Sequence, residues 1–170
     1  MELSFCRRCG ARLEHVIDNA YVCENKHPIY LNSLPTVGIF LVDDQHNVLL
    51  ARRGIEPHKG MLDSIGGFVD GEETFEHAAI RELEEETGIV NVDTDELHYL
   101  TSAVGHYPFE GEVLSVVTIY FWLRVKDGVS FTASDDVASL EWFKLNEIDH
   151  SELHDIDTRA GVTALQKTLG

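Results

Sequence analysis

The sequence predicts an α/β fold, in which helices cover the faces of a mixed β-sheet and a small cysteine-rich segment precedes the sheet. Runs of β-branched and apolar residues that predict strands outnumber the stretches with a helical period. One strongly helical stretch lies between two groups of these strands, which favours a mixed sheet. All three cysteines fall within the first 23 residues, which sets the N-terminal segment apart.

Length and charge narrow the function classes. With 170 residues and 44% hydrophobic content, the chain can bury one full core and carry one small appendage. Its longest apolar stretch, 113–125, is interrupted by polar residues and is shorter than the roughly 20 residues of a membrane helix. The first residues lack the apolar segment of a signal peptide, so we expect a cytoplasmic protein without membrane association. A net charge of -17 argues against broad nucleic-acid binding, whereas a small anionic substrate is compatible with it if metal ions neutralise the site.

The elements follow from local patterns. Segment 5–34 has no long apolar period and is expected to be an appendage without a core of its own. Residues 36–42 and 48–51 predict a hairpin around a polar turn. The helix begins near Thr74, whose hydroxyl can cap its first turn, and Gly88 ends it. Further strands are predicted at 97–104, 113–125 and 139–145, and a last helix at 159–169.

The acidic helix, over 74–87, carries badly placed charge. Glu82, Glu85 and Glu86 stand at i, i+3 and i+4, so three carboxylates are neighbours that repel one another. They also lie in the last turns, where the helix macrodipole disfavours negative charge. The group adjoins the apolar face, which predicts that it points into a cleft. Because Mg²⁺ and Mn²⁺ prefer oxygen ligands and would relieve the repulsion, the pattern predicts a divalent metal site.

The spacing around this helix matches a known signature. The pattern G-x5-E-x7-R-E-U-x-E-E-x-G-U, with U aliphatic, is the Nudix box. This chain meets it with Gly67, Glu73, Arg81, Glu82, Leu83, Glu85, Glu86, Gly88 and Ile89. Segments 49–53 and 59–68 look like the strand and glycine loop that precede the box in that family. The chain therefore resembles the Nudix hydrolase superfamily, which implies a Nudix-type α/β/α sandwich with a mixed β-sheet.

The resemblance implies roles for the box residues. Glu82, Glu85 and Glu86 would hold Mg²⁺ or Mn²⁺ on the diphosphate, and Glu73 with Arg81 would orient them. The reaction would be substitution at phosphorus by water. Members of the family place the general base variously on the helix or on a later loop. Glu85 is our first choice for the base.

A second carboxylate group is a candidate for a direct role. Asp136 stands six residues before Trp142, where relatives with a zinc ribbon often carry a further metal-binding Glu, so it is a candidate metal ligand. The alternative for Asp135 and Asp136 is a solvated turn. Glu110 and Glu112 are weaker candidates, expected as exposed charges.

The cysteines predict a second metal site. Cys6 and Cys9 form a C-x2-C-G knuckle, and Cys23 with His27 follows after 13 residues. These three thiolates and one imidazole would complete a tetrahedral structural Zn²⁺ site, with His15 as a less favoured fourth ligand. Three free thiols in a tail are the alternative. We place the zinc-ribbon appendage at 1–34 and the Nudix hydrolase domain at 35–170, an arrangement that resembles the NADH-pyrophosphatase-like branch of the superfamily.

The sequence also suggests which residues contact the substrate. NADH pyrophosphatases carry S-Q-P-W-P-F-P-x-S after the box, but segment 102–111 here keeps only the leading Ser and an aromatic-Pro-Phe core. Tyr107 and Phe109 could stack on a nucleobase, or pack in the core as part of a loop. Basic residues upstream should face the phosphates, and backbone at paired glycines can approach them closely. The predicted substrate-binding residues are Arg52, Arg53, Gly66, Gly67, Tyr107 and Phe109.

These patterns together predict a metal-dependent enzyme. It would hydrolyse a pyrophosphate bond in a nucleoside diphosphate linked to another moiety, of the NADH, ADP-ribose or dinucleotide type. The alternative is a zinc-ribbon regulator that binds nucleic acid or protein and uses the Nudix domain as a ligand sensor. The complete carboxylate set favours the enzyme, because a sensor does not need repelling charges. The expected partner is a small nucleotide-type substrate, and a homodimer stays open as the assembly state.

Overall fold

The N-terminal segment forms a small antiparallel sheet. The structure, a computed structural model, describes residues 4–126 and 128–170. Its first three strands, β1 (Leu13–Ile17), β2 (Ala20–Cys23) and β3 (Pro28–Tyr30), pair in sequence order. The buried hydrophobic residues of this unit are only Cys6, Cys23 and Ile29 among the described residues. Such a core is too small to stabilise the unit by burial alone.

The main sheet has six strands and mixed directions. They are β4 (Leu34–Val42), β5 (Asn47–Arg53), β6 (Leu62–Asp63), β7 (His98–Phe109), β8 (Glu112–Arg124) and β9 (Val137–Lys144). Their order is β6-β5-β4-β8-β7, and β9 pairs with β5. Strands β4 and β8 run parallel, whereas the other pairs are antiparallel. The prediction of a mixed sheet is confirmed.

Two helices cover opposite faces of this sheet. Helix α1 (Phe75–Thr87) packs over the core that contains Ile39, and helix α2 (Ile156–Leu169) packs over the core that contains Phe40. Consecutive residues of β4 therefore point into two different cores, because side chains alternate along a strand. This explains why β4 reads as a continuous apolar run. The predicted α/β/α sandwich is confirmed.

Both helices carry the local signals that begin and end them. The Thr74 side chain accepts a hydrogen bond from the His77 amide, and Gly88 adopts the left-handed conformation with φ 72° at the C-terminus of α1. Helix α2 begins at Ile156 and not at the predicted residue 159. The reason is Asp155, whose carboxylate accepts a hydrogen bond from the Ile156 amide as an N-cap. Within the described residues, no helix is both long and apolar enough to cross a membrane.

The segment expected as a loop around Tyr107 is part of a strand. Strand β7 continues to Phe109 because it pairs with β8 up to a tight turn, where Tyr107 lies opposite Leu114. The turn uses Glu110 and Gly111, both with positive φ. The predicted strand at 97–104 therefore ended five residues too early.

Candidate active site

Helix α1 turns two of its glutamates inward. Glu82 and Glu86 are one turn apart and only 9% and 7% exposed, whereas the Glu85 side chain is 48% exposed. Glu86 Oε2 accepts a hydrogen bond from the Gly66 amide at 3.0 Å. The acidic side of this helix thus meets the protein interior at the glycine loop, as its position beside the apolar face predicts.

Burial makes these carboxylates electrostatically unfavourable. Burial is the main cause that raises the pKa of Glu86 to about 8, with further contributions from the carboxylates of Glu82, Asp63 and Asp135. The pKa of Glu82 is raised chiefly by burial as well. Such a group favours protonation or a bound cation over two free negative charges. Its oxygen donors and its need for positive charge suit a hard divalent cation.

Arg81 contacts three parts of the site: Glu73, two glutamates of α1, and the backbone of the glycine loop. Its guanidinium binds Glu73 in a bidentate pair, with Nη2 2.6 Å from Oε1 and Nε 3.2 Å from Oε2. Its Nη1 contacts Glu82 Oε1 at 2.8 Å and Glu85 Oε2 at 3.0 Å. Its Nη2 also donates to the carbonyl of Phe68 at 3.0 Å. One side chain therefore sets the position of α1, of the loop before it and of two carboxylates.

The glycine loop lies in direct contact with a carboxylate. A Cβ atom at Gly67 would lie 2.6 Å from Glu82 Oε1, so any larger residue there would displace that carboxylate. The loop is attached to β4 by hydrogen bonds, in which the Val37 amide donates to the Gly67 carbonyl at 2.9 Å and the Ile39 amide to the Ile65 carbonyl at 2.7 Å. Strand β4, the glycine loop and helix α1 thus enclose the carboxylates together.

A cavity of about 150 Å³ opens beside Glu86. It brings together several of the predicted residues. These are Arg53, Gly66, Gly67, Glu86, Tyr107 and Asp136.

The cavity lining leaves out two predicted substrate contacts. Arg52 pairs instead with Glu141, Nε to Oε1 at 3.0 Å, on the other face of β5, because consecutive residues of a strand point in opposite directions. Phe109 lies at the hairpin end of β7 with 54% exposure, beyond the cavity. Strand alternation separates Arg52 from Arg53, whereas Phe109 lies on the same face of β7 as Tyr107 but two residues farther along the strand.

Asp135 and Asp136, the two aspartates before β9, both lie near the carboxylates of α1. The preceding backbone is bound to the end of α1, since the Thr132 amide donates to the Thr87 carbonyl at 2.8 Å and the Ser134 amide to the Glu86 carbonyl at 3.2 Å. Asp136 lines the cavity, and the Asp135 carboxylate is among the charges that raise the pKa of Glu86. Both side chains are exposed, as for a solvated turn, but the turn is placed beside the carboxylates.

Sequence reasoning missed a polar cluster in the same cavity. Asp63 Oδ2 accepts from Arg53 Nη1 at 3.0 Å and lies 3.4 Å from His154 Nε2, while Asp63 Oδ1 accepts from the Thr158 hydroxyl at 2.9 Å. Asp63 and Thr158 are 95 residues apart. They meet because the start of β6 is hydrogen-bonded to segment 152–154. The only local feature of the sequence that could have indicated a role for Asp63 is its position three residues before the paired glycines, Gly66 and Gly67.

The cysteine group converges as the predicted zinc site requires. The ligand atoms of Cys6, Cys9, Cys23 and His27 all lie within 4.8 Å of one another. Cys9 Sγ is 3.7 Å from Cys23 Sγ, and Cys6 Sγ is 3.6 Å from His27 Nδ1. A tetrahedron with metal–sulfur bonds of about 2.3 Å has sulfur–sulfur edges of about 3.8 Å. The geometry fits four ligands around one metal ion.

The alternative zinc ligand is engaged elsewhere. His15 Nε2 lies 2.8 Å from the carbonyl oxygen of Asp18. The pKa of Cys9 is lowered to about 6, first by the hydrogen bond that Asn25 donates to its sulfur, so its thiolate is available near neutral pH. Over the described part of the chain, only this cluster brings three such ligand atoms within 4.8 Å. Of the three glutamates, Glu82 and Glu85 both contact Nη1 of Arg81, whereas Glu86 accepts from the Gly66 amide.

Comparisons with known proteins agree with this arrangement. The family model of the NUDIX domain matches residues 32–164. An ADP-ribose pyrophosphatase of Methanocaldococcus jannaschii is 34% identical over 136 residues, 75% of this chain and 75% of that protein. The mitochondrial NAD(P)H pyrophosphatase NUDT13 of Homo sapiens is 34% identical over 113 residues, 66% of this chain but 30% of that protein. The crystal structure of a NUDIX hydrolase from Nitrosomonas europaea has the same fold, with a TM-score of 0.69 at 23% identity over 96% of this chain and 89% of that one.

Proposed function

This chain belongs to the NUDIX domain family, and from that premise we propose that it hydrolyses the pyrophosphate bond of a nucleoside diphosphate linked to another moiety. The observation that carries the proposal is the pair of buried carboxylates, Glu82 and Glu86, held between Arg81 and the glycine loop. Because burial raises the pKa of both carboxylates, the pair favours a bound cation, and such a cation site has a chemical use. A ligand sensor has no need of it, so the geometry favours the enzyme.

We assign two kinds of metal ion to the two groups of ligand atoms, the carboxylates of the active site and the thiolates with an imidazole of the N-terminal unit. Glu82, Glu85 and Glu86 would hold Mg²⁺ or Mn²⁺, with Asp136 as a further ligand. When bound, these cations polarise a phosphoryl oxygen and make water a better nucleophile. The thiolates and imidazole of the N-terminal unit would hold one structural Zn²⁺, through Cys6, Cys9, Cys23 and His27.

The chain's own residues position the substrate and handle the proton. We assign Glu85, the most exposed of the three glutamates, to accept the proton of the attacking water. Arg81 keeps Glu85 oriented, and its ion pair with Glu73 keeps Arg81 itself in place. The oxygen of water forms a bond to phosphorus, and the bond from phosphorus to the bridging oxygen breaks. Asp136 is the alternative acceptor of the proton.

The substrate class is narrowed by the cavity and by the relatives. A cavity of about 150 Å³ takes one ring and not a whole dinucleotide. The archaeal relative that shares 34% identity is an ADP-ribose pyrophosphatase, so we take ADP-ribose as the first substrate to test, ahead of NADH and dinucleotides. Arg53, the guanidinium in the lining, is our candidate for a contact to the phosphates. A homodimer and a cytoplasmic location stay predictions.

A substrate panel tests the proposal. The purified 170-residue chain with Mg²⁺ or Mn²⁺ is expected to release AMP from ADP-ribose, NADH or a dinucleotide. Glu86→Gln is expected to lower kcat by at least about 100-fold while circular dichroism and Tm show an intact fold. Glu84→Gln is the matched control, because Glu84 is on the same helix but exposed. No release of AMP or phosphate from any compound, or equal rates in wild type and Glu86→Gln, would overturn it.

A further inference from the structure

Three side chains on the cavity wall form a hydrogen-bonded chain. Thr36 and Thr118 face each other across the parallel pair of β4 and β8, with their hydroxyl oxygens 2.8 Å apart. The Thr118 hydroxyl donates to Asp157 Oδ2 at 2.6 Å. Asp157 comes from the first turn of α2, and all three residues line the cavity beside Glu86. The function proposed above uses none of the three.

The chain of hydrogen bonds has a fixed direction. A carboxylate oxygen accepts hydrogen bonds, so the single hydroxyl proton of Thr118 is committed to Asp157. Thr118 must then accept from Thr36, and the proton of Thr36 is committed as well. The Thr36 oxygen keeps lone pairs for the cavity and offers no proton to it. This wall therefore accepts hydrogen bonds and does not donate them.

The size of the cavity limits what enters. About 150 Å³ is the volume of a protein cavity that holds benzene. A single ring fits, while the phosphates stay near Glu86. We propose that Thr36, polarised through Thr118 towards Asp157, selects substrates whose ring carries hydrogen-bond donors. The donors are the hydroxyls of the terminal sugar or the exocyclic amine of the base. This inference rests on the proposed function, since the ring must be attached to the diphosphate.

The first test removes the hydroxyl of Thr36 in the 170-residue chain. Thr36→Val keeps the shape and the strand preference, and is expected to lower kcat/KM for ADP-ribose about 2- to 12-fold, mainly through KM. Thr36→Ser restores the hydroxyl and should recover most of that loss. Ser115→Ala is the matched control, because Ser115 forms a similar pair with Ser33 at 2.8 Å outside the cavity lining. A Thr36→Val enzyme with unchanged kcat/KM would overturn the proposal.

Two analogues identify the donor. One has unsubstituted purine in place of adenine, which removes the exocyclic amine and adds no donor. The other is ADP joined to tetrahydrofurfuryl alcohol, which keeps the sugar ring without its hydroxyls. The difference between wild type and Thr36→Val should disappear with the analogue that lacks the recognised donor. If the difference persists in full with both analogues, Thr36 does not read a donor on either ring and the proposal is wrong.

A second variant reverses the chain. Asp157 Oδ1 accepts from the Thr158 amide at 2.9 Å, so in Asp157→Asn the side-chain oxygen stays there and the NH₂ group faces Thr118. Thr118 then donates to Thr36, and the Thr36 proton turns to the cavity. We expect a loss of kcat/KM for ADP-ribose that is absent in the Thr36→Val background. Additive losses would overturn the proposal. If the wild type is inactive on the whole substrate panel, the proposed function is wrong. If the wild type is active and its kcat/KM does not respond to these substitutions, only the present inference is wrong.

Discussion

Arg81 and Glu73 form a two-point ion pair between helix α1 and the loop that precedes it, with nitrogen to oxygen distances of 2.6 and 3.2 Å. This pair lowers the pKa of Glu73, with the hydrogen bonds from Arg81 as the first cause. The same guanidinium also reaches Glu82 and Glu85. The carboxylates proposed to hold the metal are thus positioned by a residue that need not touch it.

Arg81→Lys tests this positioning role. An ammonium group cannot reproduce the planar fork, so the pair with Glu73 and the contact to Glu82 cannot both be kept. We expect kcat/KM to fall about 10- to 100-fold and the Mg²⁺ concentration for half-maximal activity to rise. A Mg²⁺ titration of activity measures both. Arg124→Lys is the control, because Arg124 contacts the Asp43 carbonyl and the exposed Asp44 carboxylate, neither of which belongs to the site. An unchanged Mg²⁺ dependence in Arg81→Lys would refute the role.

The buried carboxylate predicts a pH dependence of stability. The pKa of Glu86 is raised from 4.5 to about 8 by burial. Below pH 4.5 the group is protonated in both states, but between 4.5 and 8 the unfolded chain releases the proton that the folded chain keeps. The contribution of Glu86 to the free energy of unfolding, in protein without added divalent cations, should therefore decrease as pH rises through this window, by at most about 1.4 kcal/mol per pH unit.

Urea unfolding at several pH values from 5 to 8 measures this slope. Glu86→Gln should make the slope shallower, because the amide does not titrate, whereas Glu84→Gln should leave it as in the wild type. Mg²⁺ should raise the urea midpoint of the wild type most at pH 8, where the ionised carboxylate is available. Identical slopes in wild type and Glu86→Gln would show that Glu86 does not titrate in this range.

The N-terminal unit is predicted to contain one zinc ion per chain. Its hydrophobic core is small, so the free energy of metal binding must supply much of its stability. Cys9→Ser should reduce the zinc content below about half an equivalent and increase hydrogen exchange over 4–30. His15→Ala should keep the metal, because His15 contacts the Asp18 carbonyl and not the thiolates. Elemental analysis of protein purified without chelator decides between the two outcomes.

Substitutions of the neighbouring residues Arg52 and Arg53 should affect substrate binding differently. Arg53 lines the cavity and pairs with Asp63, whereas Arg52 pairs with Glu141 outside it. Arg53→Lys is expected to raise KM for ADP-ribose about 10-fold, since lysine cannot bind two groups in one plane. Arg52→Lys should change KM much less. Equal effects of the two substitutions would mean that strand register does not decide which arginine meets the substrate.

Much of the fold and part of the site follow from short-range patterns. The positions of α1 and its end at Gly88, the spacing of Glu82 and Glu86, and the knuckle at Cys6 all depend on neighbours within a few residues. Such features are encoded by helical periodicity, by capping and by ligand spacing, which act over one or two turns. The sequence by itself therefore determined the family, the carboxylate group and the four zinc-ligand candidates.

Other features depend on register and packing across the chain. Thr118 meets Asp157 over 39 residues, and Asp63 meets Thr158 over 95, so no local pattern marks either contact. Only the tertiary structure decided that Arg53 and not Arg52 faces the cavity. The physical reason is that a shift of one residue in strand pairing moves every side chain to the opposite face, and that register is set by long-range burial.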